Sequence, residues 1–239
     1  MNYIIDLHCH TVASGHAYST IQENVQVAIS KGLKLIGISD HAPTMPGGAP
    51  LFHFLNLKVI PKEINGIKVL KGVEVNIIDY AGSLDISNET LAILDYVIAS
   101  LHPPCIKSGN IKENTSAVIN AIKNPYVKII GHPDDSRFPL DYEDVVVTAK
   151  RHGVLLEVNN SSLTPNSFRV GSSENIKAML NLCKKHKARI ILGSDAHFSY
   201  SVGEFSNCIE LLKEVDFPED LIINTSTTDL EIILSNRSL

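Results

Sequence analysis

The sequence predicts an α/β fold in which parallel strands close into a barrel. Seven short apolar runs alternate with stretches of helical periodicity, the order produced by parallel strands joined through helical crossovers. No G-x-G-x-x-G turn follows the first run and no G-x-x-x-x-G-K occurs. Both absences disfavour an open doubly wound nucleotide-binding sheet and favour a barrel. Six of the ten histidines stand where a strand gives way to a loop, the rim at which a barrel keeps its chemistry.

The strands are expected at "YIIDL" from Tyr3, "KLIGIS" from Lys34, "IKVLKGVEV" from Ile67, "DYVIAS" from Asp95, "VKIIG" from Val127, "VLLEV" from Val154 and "RIILG" from Arg189. Helices are expected between and after them. These are "STIQENVQVAISKG", "SNETLAIL", "ENTSAVINAIKN", "DYEDVVVTAKRHG", "SSENIKAMLNLCKKHK", "VGEFSNCIELLKEV" and a terminal "STTDLEIILSN". No Pro/Gly/Ser-rich linker interrupts the alternation, so one domain over residues 1–239 is the simpler reading.

Composition narrows the function classes. A formal charge of -5 argues against a general affinity for nucleic acid. "CKKHKAR" reads as the basic end of a helix, favoured by the macrodipole. No apolar stretch approaches the roughly 18–20 residues that span a bilayer. "MNYIID" has neither a basic start nor a cleavage site. Cys9, Cys105, Cys183 and Cys208 are widely spaced without a C-x-x-C pair. A cytoplasmic protein is expected.

"DLHCH", from Asp6, carries the first chemical signal. On a regular strand Asp6, His8 and His10 share one face, while Leu7 and Cys9 share the other. Cys9 is therefore not expected to bind metal, and Asp6 is placed to accept an imidazole N–H. His41 follows "GISD", His102 follows "VIASL", His132 follows "KIIG" and His197 follows "ILGSDA". Glu74 in "GVEV" and Asp195 in "GSDAH" add carboxylates, and His16 lies in the loop after the first strand. Parallel strands would bring all nine side chains to one rim. Since a catalytic zinc uses about three protein ligands, nine suggest two or three ions sharing carboxylates. Imidazole and carboxylate without thiolate suit zinc, manganese or iron. His152 and His186 read as helix C-terminal residues; His53, in "GGAPLFHF", is a candidate to touch substrate.

These residues resemble the PHP family, the polymerase and histidinol phosphatase metal-dependent phosphoesterases. Its motifs stand here as "DLHCH", "SDH" at Ser39 to His41, "HP" at His132 and Pro133, and "GSDAH" at Gly193 to His197. "GVEVN", "SLHPP", "GHPD", "LEVNNSS" and "VGEF" add a likeness to its compact, stand-alone branch with three metals. The resemblance implies a distorted, TIM-barrel-like (βα)7 barrel with the metal site at its C-terminal rim. It implies three divalent ions, zinc foremost, with manganese or iron as alternatives. One ion would take His8, His10, Glu74 and Asp195. A second would take Glu74, His102 and His132, with Glu74 bridging, and a third His16, His41 and His197.

The implied activity is that of a phosphatase acting on small phosphorylated molecules, with a metal-bridging hydroxide attacking phosphorus. Neither a membrane nor a nucleic-acid partner is expected, and a homo-oligomer is compatible with the sequence. Asp40 or His197 is a candidate to move the leaving-group proton, Asp40 equally a support for the ligands. Arg169, in "NSFRVGSS", is either a phosphate fork or a solvated loop residue. Asn159 and Asn160 are candidate polar lining. Three other readings compete: amide or lactone hydrolysis, nuclease activity and non-catalytic zinc storage.

Overall fold

Residues 2–235 are described in a computed structural model. Each of the seven predicted runs overlaps a strand: β1 (Ile5–Asp6), β2 (Leu35–Ile38), β4 (Ile67–Asn76), β5 (Tyr96–Ser100), β6 (Val127–Ile130), β7 (Leu155–Asn159) and β8 (Ile190–Gly193). They pair in parallel in the order β1-β2-β4-β5-β6-β7-β8. A further strand, β3 (Glu63–Ile64), pairs antiparallel with β4. Asn65 and Gly66, both at positive φ, supply the tight turn between them.

Helices α1 (Ile21–Ser30), α3 (Asn88–Leu91), α4 (Ile111–Ile122), α5 (Tyr142–His152), α6 (Ser172–His186), α7 (Ser206–Glu214) and α8 (Thr227–Ser235) lie within or at the predicted stretches. Asn236, the predicted end of the last helix, lies outside the described residues. Helix α2 (Leu51–Asn56) occupies a segment read as loop. Thr20 with Glu23 and Asn110 with Glu113 form reciprocal caps that start α1 and α4, and Gly153 in the left-handed region ends α5. No helix among the described residues is long and apolar enough to cross a membrane.

The sheet is nearly closed. Between β8 and β1 no regular ladder forms; a parallel bridge joins Cys9 to Ala196 near the rim. Lower down the buried Asn224 stitches the seam. Its Nδ2 donates to the carbonyls of Ile5 (2.9 Å) and Leu192 (2.8 Å), while its Oδ1 accepts from Leu192 N (2.7 Å). One side-chain amide thus satisfies backbone groups that the missing ladder would have paired.

Alternation along the strands sorts inside from outside. Val73, Val75, Val97, Leu156, Val158 and Leu192 belong to the outer core with residues of α4, α5 and α6. Ile5, Leu35, Leu70, Tyr96, Ile98, Ile129, Leu155 and Ile191 fill the interior, with Leu230 of α8. The Tyr96 ring occupies space left by Gly37 and Gly72, where any Cβ would collide with it, and its hydroxyl donates to Leu7 O (2.6 Å). Above this apolar floor the inward positions turn polar.

Candidate metal centre

Glu74 of β4 is fully buried and central. Its Oε1 accepts from Ser100 Oγ (2.7 Å) and lies 2.8 Å from His132 Nε2, 3.3 Å from His102 Nε2 and 3.5 Å from His8 Nε2. Its Oε2 lies 2.7 Å from His41 Nδ1 and 3.6 Å from His10 Nε2. Asp195, just beyond β8, completes the group: Oδ1 is 3.3 Å from His10 Nε2 and 3.5 Å from His8 Nε2. Gly131 and Gly193 make room here, since a Cβ at either would strike Ser100 Oγ or Glu157 Oε1.

His16 lies on the outer side, its ring centroid 4.9 Å from that of His41 and 4.7 Å from that of His197. All nine predicted residues therefore converge on one region. Four sets of ligand atoms within them are close enough to share an ion: His10 with His41 and His197; His8 with His132 and Asp195; His8 with His10 and Glu74; and His41 with Glu74 and His102.

Many of the inward-facing ligand atoms lack a hydrogen-bond partner, although His132 Nε2 pairs with Glu74 Oε1 (2.8 Å). Among the described residues, the buried side-chain atoms without a hydrogen bond include Nε2 of His8, His10 and His102, both ring nitrogens of His41, and Glu74 Oε2. His41 Nδ1 and Glu74 Oε2 approach to 2.7 Å but are not aligned as donor and acceptor. Buried polar atoms are normally satisfied, so a cluster of unsatisfied lone pairs fits a site for cations.

Tautomers are set from behind. Asn76 Nδ2 donates to Asp85 (2.6 Å), so Asn76 Oδ1 faces His102 Nδ1 (2.7 Å), which must donate. His8 Nδ1 lies 2.6 Å from Glu157 Oε1, an acceptor. In the neutral form of both rings Nε2 therefore points its lone pair toward the cluster. Burial pushes the His102 pKa down to about 4. It likewise lowers His10, helped by neighbouring His41 and His197. His8 goes the other way: burial disfavours its charge, but Glu157, Asp195 and Glu74 outweigh burial and raise its pKa well above the usual value. Burial also opposes ionisation of Glu74 and Asp195, yet the imidazoles around them, with Arg169 at Asp195, hold both well below the carboxylate range. The site demands positive charge.

Glu157 is the residue that sequence reasoning missed. Its Oε2 also accepts from His132 N (2.7 Å), so one carboxylate orients His8 and fixes the backbone of His132. That backbone needs fixing, because His132 has φ 28°, rare for a residue with a Cβ. The signal was a charged residue inside "VLLEV", at an inward position between Leu155 and Asn159.

Several expectations need correction. Regular pleating ends at Asp6, so Leu7 joins the barrel interior while Cys9 packs with α1. Asp6 accepts no imidazole N–H; it binds the backbone N–H groups of His8 (3.2 Å), Ser194 (3.3 Å) and Gly203 (2.8 Å). Arg169 is no solvated loop residue. Its side chain is 6% exposed and donates to Asp195 Oδ2 (3.0 Å), Ser162 Oγ (3.0 Å) and Asn159 Oδ1 (3.2 Å). His53 turns toward Asp40, with Nε2 3.3 Å from Oδ2, and does not line the cavity over the centre.

Asp40 is buried and faces the loop after β1, accepting from Thr11 N (2.7 Å), Thr11 Oγ1 (2.8 Å) and Ser14 Oγ (2.8 Å). Burial alone would raise its pKa, but His53, His10 and these donors lower it to about 2. Over the centre opens a cavity of about 510 Å³, lined by His16, His41, His102, Asn160, Arg169, Asp195 and His197 among others.

Residues 6–161 match the PHP domain. The chain belongs to that family. This PHP chain is 48% identical over 237 residues to a probable phosphatase of Clostridium botulinum strain Hall, covering 99% of this chain and 96% of that one. It is 50% identical over 237 residues to a probable phosphatase of Acetivibrio thermocellus, covering 99% and 97%. It shares its fold with a crystal structure of histidinol phosphate phosphatase from Lactococcus lactis complexed with zinc, L-histidinol and phosphate. There the TM-score is 0.63 and the identity 17%, over 90% of this chain and 95% of that one.

Proposed function

We propose that this PHP domain protein is a metal-dependent phosphatase that hydrolyses small phosphomonoesters, with one catalytic domain spanning residues 1–239. The observation that carries the reading is the convergence of unpaired, buried imidazole and carboxylate atoms beneath an open cavity. The probable phosphatases above, and the zinc and phosphate bound by the Lactococcus enzyme, agree with it.

Three divalent ions, zinc foremost, are assigned as the family resemblance implies. His8, His10, Glu74 and Asp195 would hold the first; Glu74, His102 and His132 the second; His16, His41 and His197 the third. Bound there, the cations would neutralise a phosphate dianion and supply an activated water for in-line attack.

The chain's own groups do the rest. Glu157 and Asn76 keep His8 and His102 turned with their lone pairs inward. Arg169 lines the cavity beside Asp195 and offers its remaining N–H groups to a phosphoryl oxygen. His197 Nδ1 lies 3.0 Å from the Asp195 carbonyl, leaving one ring nitrogen to serve as ligand or as proton donor, not both. Asp40 supports the loop bearing His16 and takes no part in proton transfer, because it does not reach the cavity.

The test is a panel of phosphomonoesters, amides and lactones offered to the protein stripped of metal and then reloaded. Phosphate release that returns with metal is expected. Hydrolysis of amides or lactones without phosphomonoester turnover contradicts the proposal.

A further inference from the structure

The chain leaving β4 turns back at once. Gly82 N–H donates to Asp79 O (3.1 Å), Gly82 takes a positive φ of 81°, and Ile77 bridges Leu84 antiparallel. This hairpin brings Asp85, which lies in none of the motifs above, beside Asn76 at the end of β4. The Asp85 carboxylate accepts three hydrogen bonds: Oδ1 from Asn76 N (2.8 Å), and Oδ2 from both Asn76 Nδ2 (2.6 Å) and Thr44 N (3.0 Å). On its far side the Asn76 amide puts Oδ1 2.7 Å from His102 Nδ1.

A side-chain amide has nearly the same shape either way round, so its partners alone decide which end faces which. Turned over, Asn76 would aim an N–H at His102 Nδ1. That nitrogen would then have to accept, the ring proton would sit on Nε2, and the lone pair aimed at the cluster would be gone. The Ala42 carbonyl, 3.4 Å from Asn76 Nδ2, is a weak guide against this. Asp85 is the strong one, because a carboxylate only accepts. Two hydrogen bonds in series carry that property to a nitrogen Asp85 does not touch.

We propose that Asp85 is a positioning residue of the metal centre: it fixes the Asn76 amide and, through it, the His102 tautomer that leaves Nε2 free for a cation. Asparagine cannot take its place. In Asp85→Asn one amide oxygen is left to serve two edges that the carboxylate serves with two. Thr44 is exposed, so water can replace its bond, whereas Asn76 is buried within the sheet and its N–H keeps the oxygen. The new NH2 then faces the Asn76 side chain, which turns over to meet it. This inference rests on the metal-centre reading above and not on the substrate.

The test is nitrogen NMR of the metal-free protein with isotope-labelled histidine, at neutral pH and so well above the His102 pKa of about 4. The His102 signals are identified by their loss in His102→Gln. The wild type should show Nδ1 protonated and Nε2 bare, and Asp85→Asn the reverse. Zinc affinity, read by competition with a chelator, should fall about 10–100-fold in Asp85→Asn. Combining Asn76→Asp with Asp85→Asn puts an acceptor back against His102 and a donor behind it. That exchange should return the tautomer and most of the affinity, which a merely structural role for Asp85 would not allow. If Asp85→Asn does not fold, Asp85→Ala, which lets water into the gap, should show both tautomers. A His102 tautomer unchanged in the single variants, or a folded double variant that keeps the reversed tautomer, overturns the proposal. The expected tautomers in a wild type that binds no zinc would remove the metal reading and uphold the control of His102 by Asp85.

Discussion

The two sides of the metal centre are built differently. On the inner side Glu74 sits within a strand, and His8, His102, His132 and Asp195 lie just past strand ends. All are buried, and Glu157, Asn76 and Ser100 hold them from behind. On the outer side His16 is exposed and the His197 side chain is 29% exposed, both on loops. His16 is supported indirectly, through the contacts of Asp40 with Thr11 and Ser14, and the His197 ring meets the Asp195 carbonyl of its own loop. Rigid elements hold a site more closely than loops do. If three ions bind as proposed, the inner ones should bind tightly and the outer one should exchange.

Glu74→Ala attacks the inner side where five imidazoles meet and should have the largest effect. Metal content and kcat/KM should both collapse, well beyond the roughly 100-fold typical of losing an orienting partner; retained metal would break the comparison. Glu157→Gln keeps the shape but weakens the acceptor for His8. A loss of about 10–100-fold in metal affinity or activity is expected, read by metal titration and kinetics. Arg169→Ala should raise KM about tenfold through the lost charge-assisted bond, with metal content retained.

Asp40 sharpens the outer side with the smallest effect. Asp40→Asn keeps an oxygen for Thr11 N and Ser14 Oγ and should lower only the affinity for the most weakly held ion. Asp40→Ala leaves those donors unpaired, costing about 1–3 kcal/mol. Because the folded-state pKa of Asp40, about 2, lies below its ordinary 3.8, its ionisation stabilises the fold above pH 3.8. That contribution is lost as pH falls through about 2. Denaturation of the metal-free protein should therefore show less acid sensitivity in Asp40→Asn than in the wild type.

Strands and long helices were legible because apolar runs and caps are local signals. "ENTSAVINAIKN" and "DYEDVVVTAKRHG" gave helices within a few residues of their observed ends. Convergence of the histidines was legible because strand ends in a parallel barrel share one rim. What stayed hidden depends on contacts between distant segments. Arg169 is buried only because Asp195, Asn159 and Ser162 meet around it. Asp6 is turned from the imidazoles by Gly203, nearly two hundred residues away. The short α2 and the β3 turn at Asn65 and Gly66 fell inside loops whose shape periodicity does not report.

The central claim is tested most directly by the metal-to-protein ratio of the reloaded, dialysed protein, measured beside that of His16→Ala. The account predicts about three ions per chain in the wild type and about two in the variant, the outer one being lost. A ratio of one or less in the wild type, or the same ratio in both proteins, would contradict it.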